Sequence, residues 1–168
     1  RASEFLHGQS EVQAQWPDFP APFALDGEGT VSLATDRVIS VLFFEYDYSG
    51  GAHPNTFYIP FNFAMKGGKA QEIEFDDLWR EGVYGRALVW PLLRDELLER
   101  EAAWSVDGEY TDLHDDLAGK FIVSKTHMTF AFSPYDVGPY AQGAFIVKFP
   151  LSRFADSLDP ALGLVPAR

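Results

Sequence analysis

The chain has no cysteine among its 168 residues. That absence excludes disulfide staples, a thiol nucleophile and thiolate metal sites, and it leaves the redox compartment open. Basic residues are scarce too: 13 Lys plus Arg stand against 25 Asp plus Glu, a formal net charge of −12. Such a surface repels phosphate backbones and anionic headgroups, so nucleic acid and membrane surfaces are not expected partners, whereas a basic protein or a neutral ligand is compatible. No apolar run approaches the ~18 residues of a membrane span, and no apolar signal core follows Arg1. The fragment itself is not expected to insert into a membrane. Because it opens with Arg1 and not Met, any anchor or signal is expected upstream of it.

Local catalytic motifs are missing as well. His7, His53, His114 and His127 are too widely spaced for a ligand pair such as His-Glu-x-x-His, and neither a Gly-x-Ser-x-Gly elbow nor a phosphate-cradling glycine loop occurs. The cluster Asp112, His114, Asp115, Asp116 lacks the spacing and glycine of a calcium loop and reads as a solvated acidic loop. Glu45 and Asp47, two apart on one strand, read as exposed solubility residues before they read as an acid–base pair. The expectation is a protein that is not an enzyme, with no catalytic residue, no metal and no cofactor.

What the chain does have is apolar and aromatic mass: 46% hydrophobic residues, with 15 Phe, 7 Tyr and 4 Trp. That suffices for one packed core in a chain of this length. Residues 1–29 read as a lead-in, or the remnant of a preceding portion, with one edge strand, since Trp16-Pro17-Asp18-Phe19-Pro20-Ala21-Pro22 resists helix and central strand alike. Residues 30–160 read as the domain proper and 161–168 as a tail.

Within that domain, Val31 and Leu33 alternate with polar neighbours, and Val38 to Tyr48 is a long β-branched and aromatic run. The turn Ser49-Gly50-Gly51-Ala52-His53-Pro54 then leads into Asn55 to Ala64, where Phe57, Ile59, Phe61 and Phe63 share one strand face. Pro60 predicts an unpaired N–H side or a bulge there. Gly67-Gly68 makes a second tight turn into a short strand ending at Glu74, and Asp76 is placed to cap the next turn. Trp90, Leu93 and Leu97 mark a long helix between Gly85 and Trp104, with Pro91 expected in its first turn. Phe121 to Val123, Met128 to Phe132 and Phe145 to Phe149 read as strands, and Ser152 as the cap of a short C-terminal helix. The fold class is α+β: an antiparallel sheet of about five to seven strands with one long helix packed on a face and a short C-terminal helix.

Two stretches carry a resemblance: Tyr46-Asp47-Tyr48-Ser49-Gly50-Gly51-Ala52-His53-Pro54-Asn55-Thr56 and Phe132-Ser133-Pro134-Tyr135-Asp136-Val137-Gly138-Pro139-Tyr140-Ala141. They resemble the Gly-Gly-Ala-His and Pro-Tyr signatures of a bacterial extracytoplasmic domain of unknown function. That domain forms the outer part of the lysozyme-sensing anti-sigma factor RsiV and precedes the catalytic domain of polysaccharide deacetylases such as PdaC. The resemblance covers about residues 30–158, in family order. It implies a non-catalytic module outside the cytoplasm, secreted, periplasmic or anchored, that binds a basic protein such as lysozyme or cell-wall glycan. The alternative is an accessory domain of a wall-modifying enzyme whose catalytic part lies outside this chain. The deacetylase's metal-binding motif is not in this sequence, so its activity is not carried over.

The candidate binding residues are Tyr46, Tyr48, Gly50, Gly51, His53, Tyr135 and Tyr140. Two shaped turns carry Tyr and His where plain connections use small polar residues. An apolar ring with a polar tip serves equally well as a binding anchor or as a cap on the core, and a His after a tight turn first suggests a brace for its own loop.

Overall fold

A computed structural model describes residues 2–17, 23–108 and 110–164. The middle of the proline run, residues 18–22, and the end of the tail, residues 165–168, lie outside the described residues. The chain is α+β, and its seven strands, counted among the described residues, form two antiparallel sheets. The first holds β1 (Ala24–Ala34), β2 (Val38–Tyr48), β3 (Asn55–Lys66) and β4 (Lys69–Glu72) in chain order. The second holds β5 (Phe121–Val123), β6 (His127–Phe132) and β7 (Phe145–Pro150), also in order.

The lead-in is more regular than its sequence suggests. Helix α1 spans Ala2–Gln15 with Phe5, Gly8, Gln9 and Val12 half-buried, one helical stripe. Strand β1 starts at Ala24, before the expected Thr30, and pairs with β2 from Ala24↔Tyr48 onward. A register shift between Val31 and Leu33 turns Leu33 into the core, where it is 5% exposed.

The long helix, α2, runs Gly85–Glu99 with Pro91 in its interior and not in its first turn. Only one helical hydrogen bond is lost at a proline, and Val89, Trp90, Leu93 and Leu97 bury one side of the helix, so packing outweighs that loss. The helix ends before Trp104 because Glu101 turns to φ 55; a separate turn, α3 (Ala103–Val106), follows. Asp76 does not cap its turn. Asp77 accepts the Glu74 N–H at 2.9 Å instead, and Asp76 is held by Arg86. Nor is Ser152 a cap: Leu151–Phe154 is a 3-10 turn entered from Pro150, with Leu151, Phe154 and Leu158 buried as expected.

The main core lies on the three-stranded sheet. Phe121, Val123, Met128, Phe130, Phe132, Val147 and Phe149 are all buried there, and α2 packs on the β7 side. Phe75 sits edge-on to Trp79 and Phe121, at 5.4 and 5.5 Å between centroids, which adds about 0.5–1.5 kcal/mol per pair beyond burial.

Two polar side chains join the sheets. Ser40 on β2 donates to Asn62 Oδ1 on β3 and accepts the Val123 N–H, while Asn62 donates to the Phe121 carbonyl at 2.8 Å. They serve as ladder partners for the edge of β5. On β3 the deepest positions are accordingly Asn62 and Ala64, whereas Phe61, on the opposite face, is 38% exposed. Among the described residues no helix is long and apolar enough to cross a membrane.

Candidate functional site

Even-numbered residues of β3 point their backbone polar groups away from β2: the Asn62 carbonyl accepts from Ile73, and the Tyr58 N–H donates to Ser133 Oγ at 2.9 Å. Pro60 falls between them, opposite Leu42 in register and beyond the end of β4, so its missing N–H costs no ladder bond. That free margin of β3 is where the Ser133 to Tyr140 loop docks.

The loop is built around Asp136. Its Oδ2 accepts the Ser133 N–H at 2.7 Å, its Oδ1 accepts from Lys120 Nζ at 3.0 Å, and its carbonyl accepts from the Tyr110 hydroxyl. The Tyr135 N–H closes the turn onto Gly138. Gly138 leaves room for Gln142, whose amide group would collide with a Cβ there. Gln142 in turn bonds the Glu101 carbonyl and the Ala103 N–H, tying the loop to the end of α2. So braced, Tyr135 is held at φ 73, a left-handed conformation unfavourable for a bulky residue, with its ring 52% exposed.

Opposite the loop stands the β2–β3 hairpin. Gly50 and Gly51 take φ 95 and 104, which their lack of Cβ permits, and the Tyr48 hydroxyl donates to the Gly51 carbonyl at 3.2 Å. His53 Nδ1 lies 2.9 Å from the Pro54 carbonyl. A carbonyl only accepts, so Nδ1 carries the hydrogen and Nε2 of the neutral ring is left as an acceptor. The imidazole stacks on Tyr140 at 3.6 Å and 13°, and Tyr135 closes the group at 5.8 Å from Tyr140 and 6.5 Å from His53.

The structure thus brings His53, Tyr135 and Tyr140 together, with Gly50, Gly51 and Tyr48 shaping the hairpin that presents His53. Tyr46 lies on the same sheet face as Tyr48, opposite Thr56, but among the described residues it makes no ring contact with this group. The Tyr135 and Tyr140 hydroxyls bond to no other described residue. Glu45 is not an exposed residue: it lies mid-sheet between Gly27 and Phe57 and is only 7% exposed. Asp47 accepts from Asn55.

The acidic loop also divides. Asp115 pairs with Arg86, which holds Asp76 as well and donates to the Leu113 carbonyl, and these carboxylates, Asp76 above all, raise the guanidinium's affinity for its proton. His114 and Asp116 face the other way, toward Tyr135. No group of three or more His, Asp or Glu that could hold a metal occurs among the described residues. Tyr110, His114, Lys120 and the bracing roles of Ser133 and Asp136 escape sequence reasoning. One signal was available: Ser133-Pro134-Tyr135-Asp136 has the spacing at which an acid reaches back to the backbone three residues earlier.

Residues 76–152 match the sequence model of a family described as a protein of unknown function, DUF3298, and residues 3–56 match one described as deacetylase PdaC. The resemblance drawn from the two signatures is borne out at that level. The Gly50-Gly51 turn lies in the second match and the Pro-Tyr loop in the first. No protein of curated function matches the chain. Two solved structures share the fold: a DUF3298 family member from Bacteroides fragilis (TM-score 0.64, 17% identity) and one from Pseudomonas aeruginosa (TM-score 0.62, 18% identity). They cover 94% and 95% of this chain, which spans 66% and 72% of theirs.

Proposed function

We propose that this chain is a non-catalytic extracytoplasmic binding module of the bacterial cell envelope, and that its binding surface is the edge where the Gly50-Gly51 hairpin meets the Tyr135–Tyr140 loop. The observation that carries this reading is Tyr135: an exposed aromatic residue held at φ 73 by a loop braced at Ser133, Asp136 and Gly138. Backbone strain of this kind persists only where the surroundings over-determine it, and it concentrates at sites of recognition. A fixed ring loses little entropy on binding, which favours it as an anchor.

His53 supports a platform better than a reaction. One nitrogen is committed to a backbone carbonyl and one face to Tyr140, and among the described residues it pairs with no nucleophile. The partner on this reading is a basic protein such as lysozyme, or cell-wall glycan. A second reading, an accessory domain of a wall-modifying enzyme, draws support from the match of residues 3–56 to the deacetylase model.

Binding of lysozyme and of peptidoglycan by Tyr48→Ala, His53→Ala, Tyr135→Ala and Tyr140→Ala, measured beside their denaturant midpoints, tests the surface. The expected result is a selective loss of binding in the Tyr135 and His53 variants. If all four lose stability and none selectively loses affinity, the residues are framework. A lysozyme complex is also expected to form more slowly as salt rises, because the charge of −12 steers a basic partner only within a screening length of about 8 Å at physiological salt.

A further inference from the structure

Tyr135 also lines a cavity of about 420 Å³ whose lining does not include His53. It is lined by Tyr135 and by the rings of Tyr110 and His114, 5.2 Å apart, with Asp116, Lys120 and Asp136 supplying the polar groups. The exposed Tyr135 ring is therefore shared between the His53–Tyr140 stack and this cleft.

The polar groups differ in what they have left to offer. Asp136 is already engaged at both oxygens, one on the Ser133 N–H and the other on Lys120, and the Tyr110 hydroxyl has given its hydrogen to the Asp136 carbonyl. Lys120 retains two of its three N–H donors. The exposed Asp116 carboxylate and the His114 ring bond to no other described residue. The cleft thus presents flat apolar walls, one carboxylate without a described partner, a second already engaged, one imidazole and one ammonium donor.

Charge decides the class of ligand. An anion would meet Asp116 and a surface of net −12. A cation would suit aromatic walls and a carboxylate, but it offers no acceptor to the remaining Lys120 N–H donors. An uncharged ring with hydroxyls satisfies both: its C–H faces lie on Tyr135 and Tyr110, while hydroxyls donate to Asp116 and accept from Lys120. We infer that this cleft is a binding subsite for one neutral pyranose unit of a saccharide chain, adjoining the His53–Tyr140 platform, and this rests on the binding role proposed for Tyr135.

Titration calorimetry with the neutral tetramer of N-acetylglucosamine, with cellotetraose, and with the cationic glucosamine tetramer tests the inference. A neutral tetramer is expected to bind, and Asp116→Ala, at an exposed position without described partners, is expected to weaken it about tenfold, as the loss of a charged hydrogen bond does. Lys120→Met should weaken it too, and His53→Ala should weaken it less than Asp116→Ala does. No binding of either neutral tetramer, tighter binding of the cationic one, or indifference to Asp116→Ala overturns the subsite. If in that case peptidoglycan or lysozyme binding still depends on Tyr135 and His53, the platform stands and only the saccharide subsite fails; if that dependence is absent as well, both fail.

Discussion

The two sheets of this chain are made of similar residues and do different work. In the three-stranded sheet short strands are buried almost throughout: Phe130 and Phe132 are 0% exposed. In the four-stranded sheet strands of eleven and twelve residues carry more aromatics, yet Phe61 is 38% and Val31 61% exposed, and the most buried positions of β3 are Asn62 and Ala64. Apolar composition therefore does not locate the core. The small sheet is covered by α2 and the C-terminal turns, whereas the large one is fastened to it by Ser40, Asn62 and Ser133 and presents its hairpin end to solvent.

If that division is right, Phe130→Ala should cost about 3–5 kcal/mol, the range for emptying a packed aromatic site. Phe61→Ala should cost under about 1 kcal/mol, since most of its loss is partial burial. Chemical denaturation of both variants reads the contrast, and equal costs would dissolve the distinction between the sheets. Ser40→Ala comes next. It leaves the buried Val123 N–H and Asn62 Oδ1 without this partner, for about 1–3 kcal/mol, and hydrogen exchange at Val123 should quicken beyond the global effect.

Ser133→Ala removes a single part-buried bond to Tyr58 and should cost about 1 kcal/mol. Its sharper readout is the site, because the loop it fastens carries Tyr135 and Tyr140, so ring-current shifts at His53 should diminish in the NMR spectrum. Tyr135→Asn is the smallest in stability. Asn tolerates a positive φ far better than Tyr, and the relief offsets the lost ring contacts, leaving a net change within about 0.5 kcal/mol. Binding should nevertheless be lost, and a large destabilisation would make Tyr135 part of the frame.

Much of the small sheet was legible because its alternation of Phe, Val and Met agrees with its burial. The Gly50-Gly51 and Gly67-Gly68 turns were legible because tight hairpins need positive φ. The division into two sheets was not. Ser40 and Asn62 look like residues of a solvated face, and only the third dimension shows them completing the edge of β5. Glu45 misleads in the same way, as a charge buried mid-sheet. Helix α1 escaped notice because its stripe of Phe5, Gly8, Gln9 and Val12 is too mixed to give a clear period. Of the site, the two loops were marked by residue type, whereas the stacking of His53 on Tyr140 that joins them is seen only in three dimensions. The Tyr110–His114 wall was hidden in what reads as a solvated acidic stretch.

The Tyr58–Ser133 bond has a kinetic side. His53 and Tyr140 lie far apart along the chain, and their stack exists only after one sheet has closed on the other, a non-local contact of the kind that forms late and slowly in folding. A partly folded chain with its small sheet intact would still lack the platform. Ligand would then bind the finished molecule alone, so saturating amounts should slow the opening of the sheets and raise the unfolding midpoint in step with concentration. The aromatic surface thereby acts as a receipt for completed docking, issued by the last step of assembly.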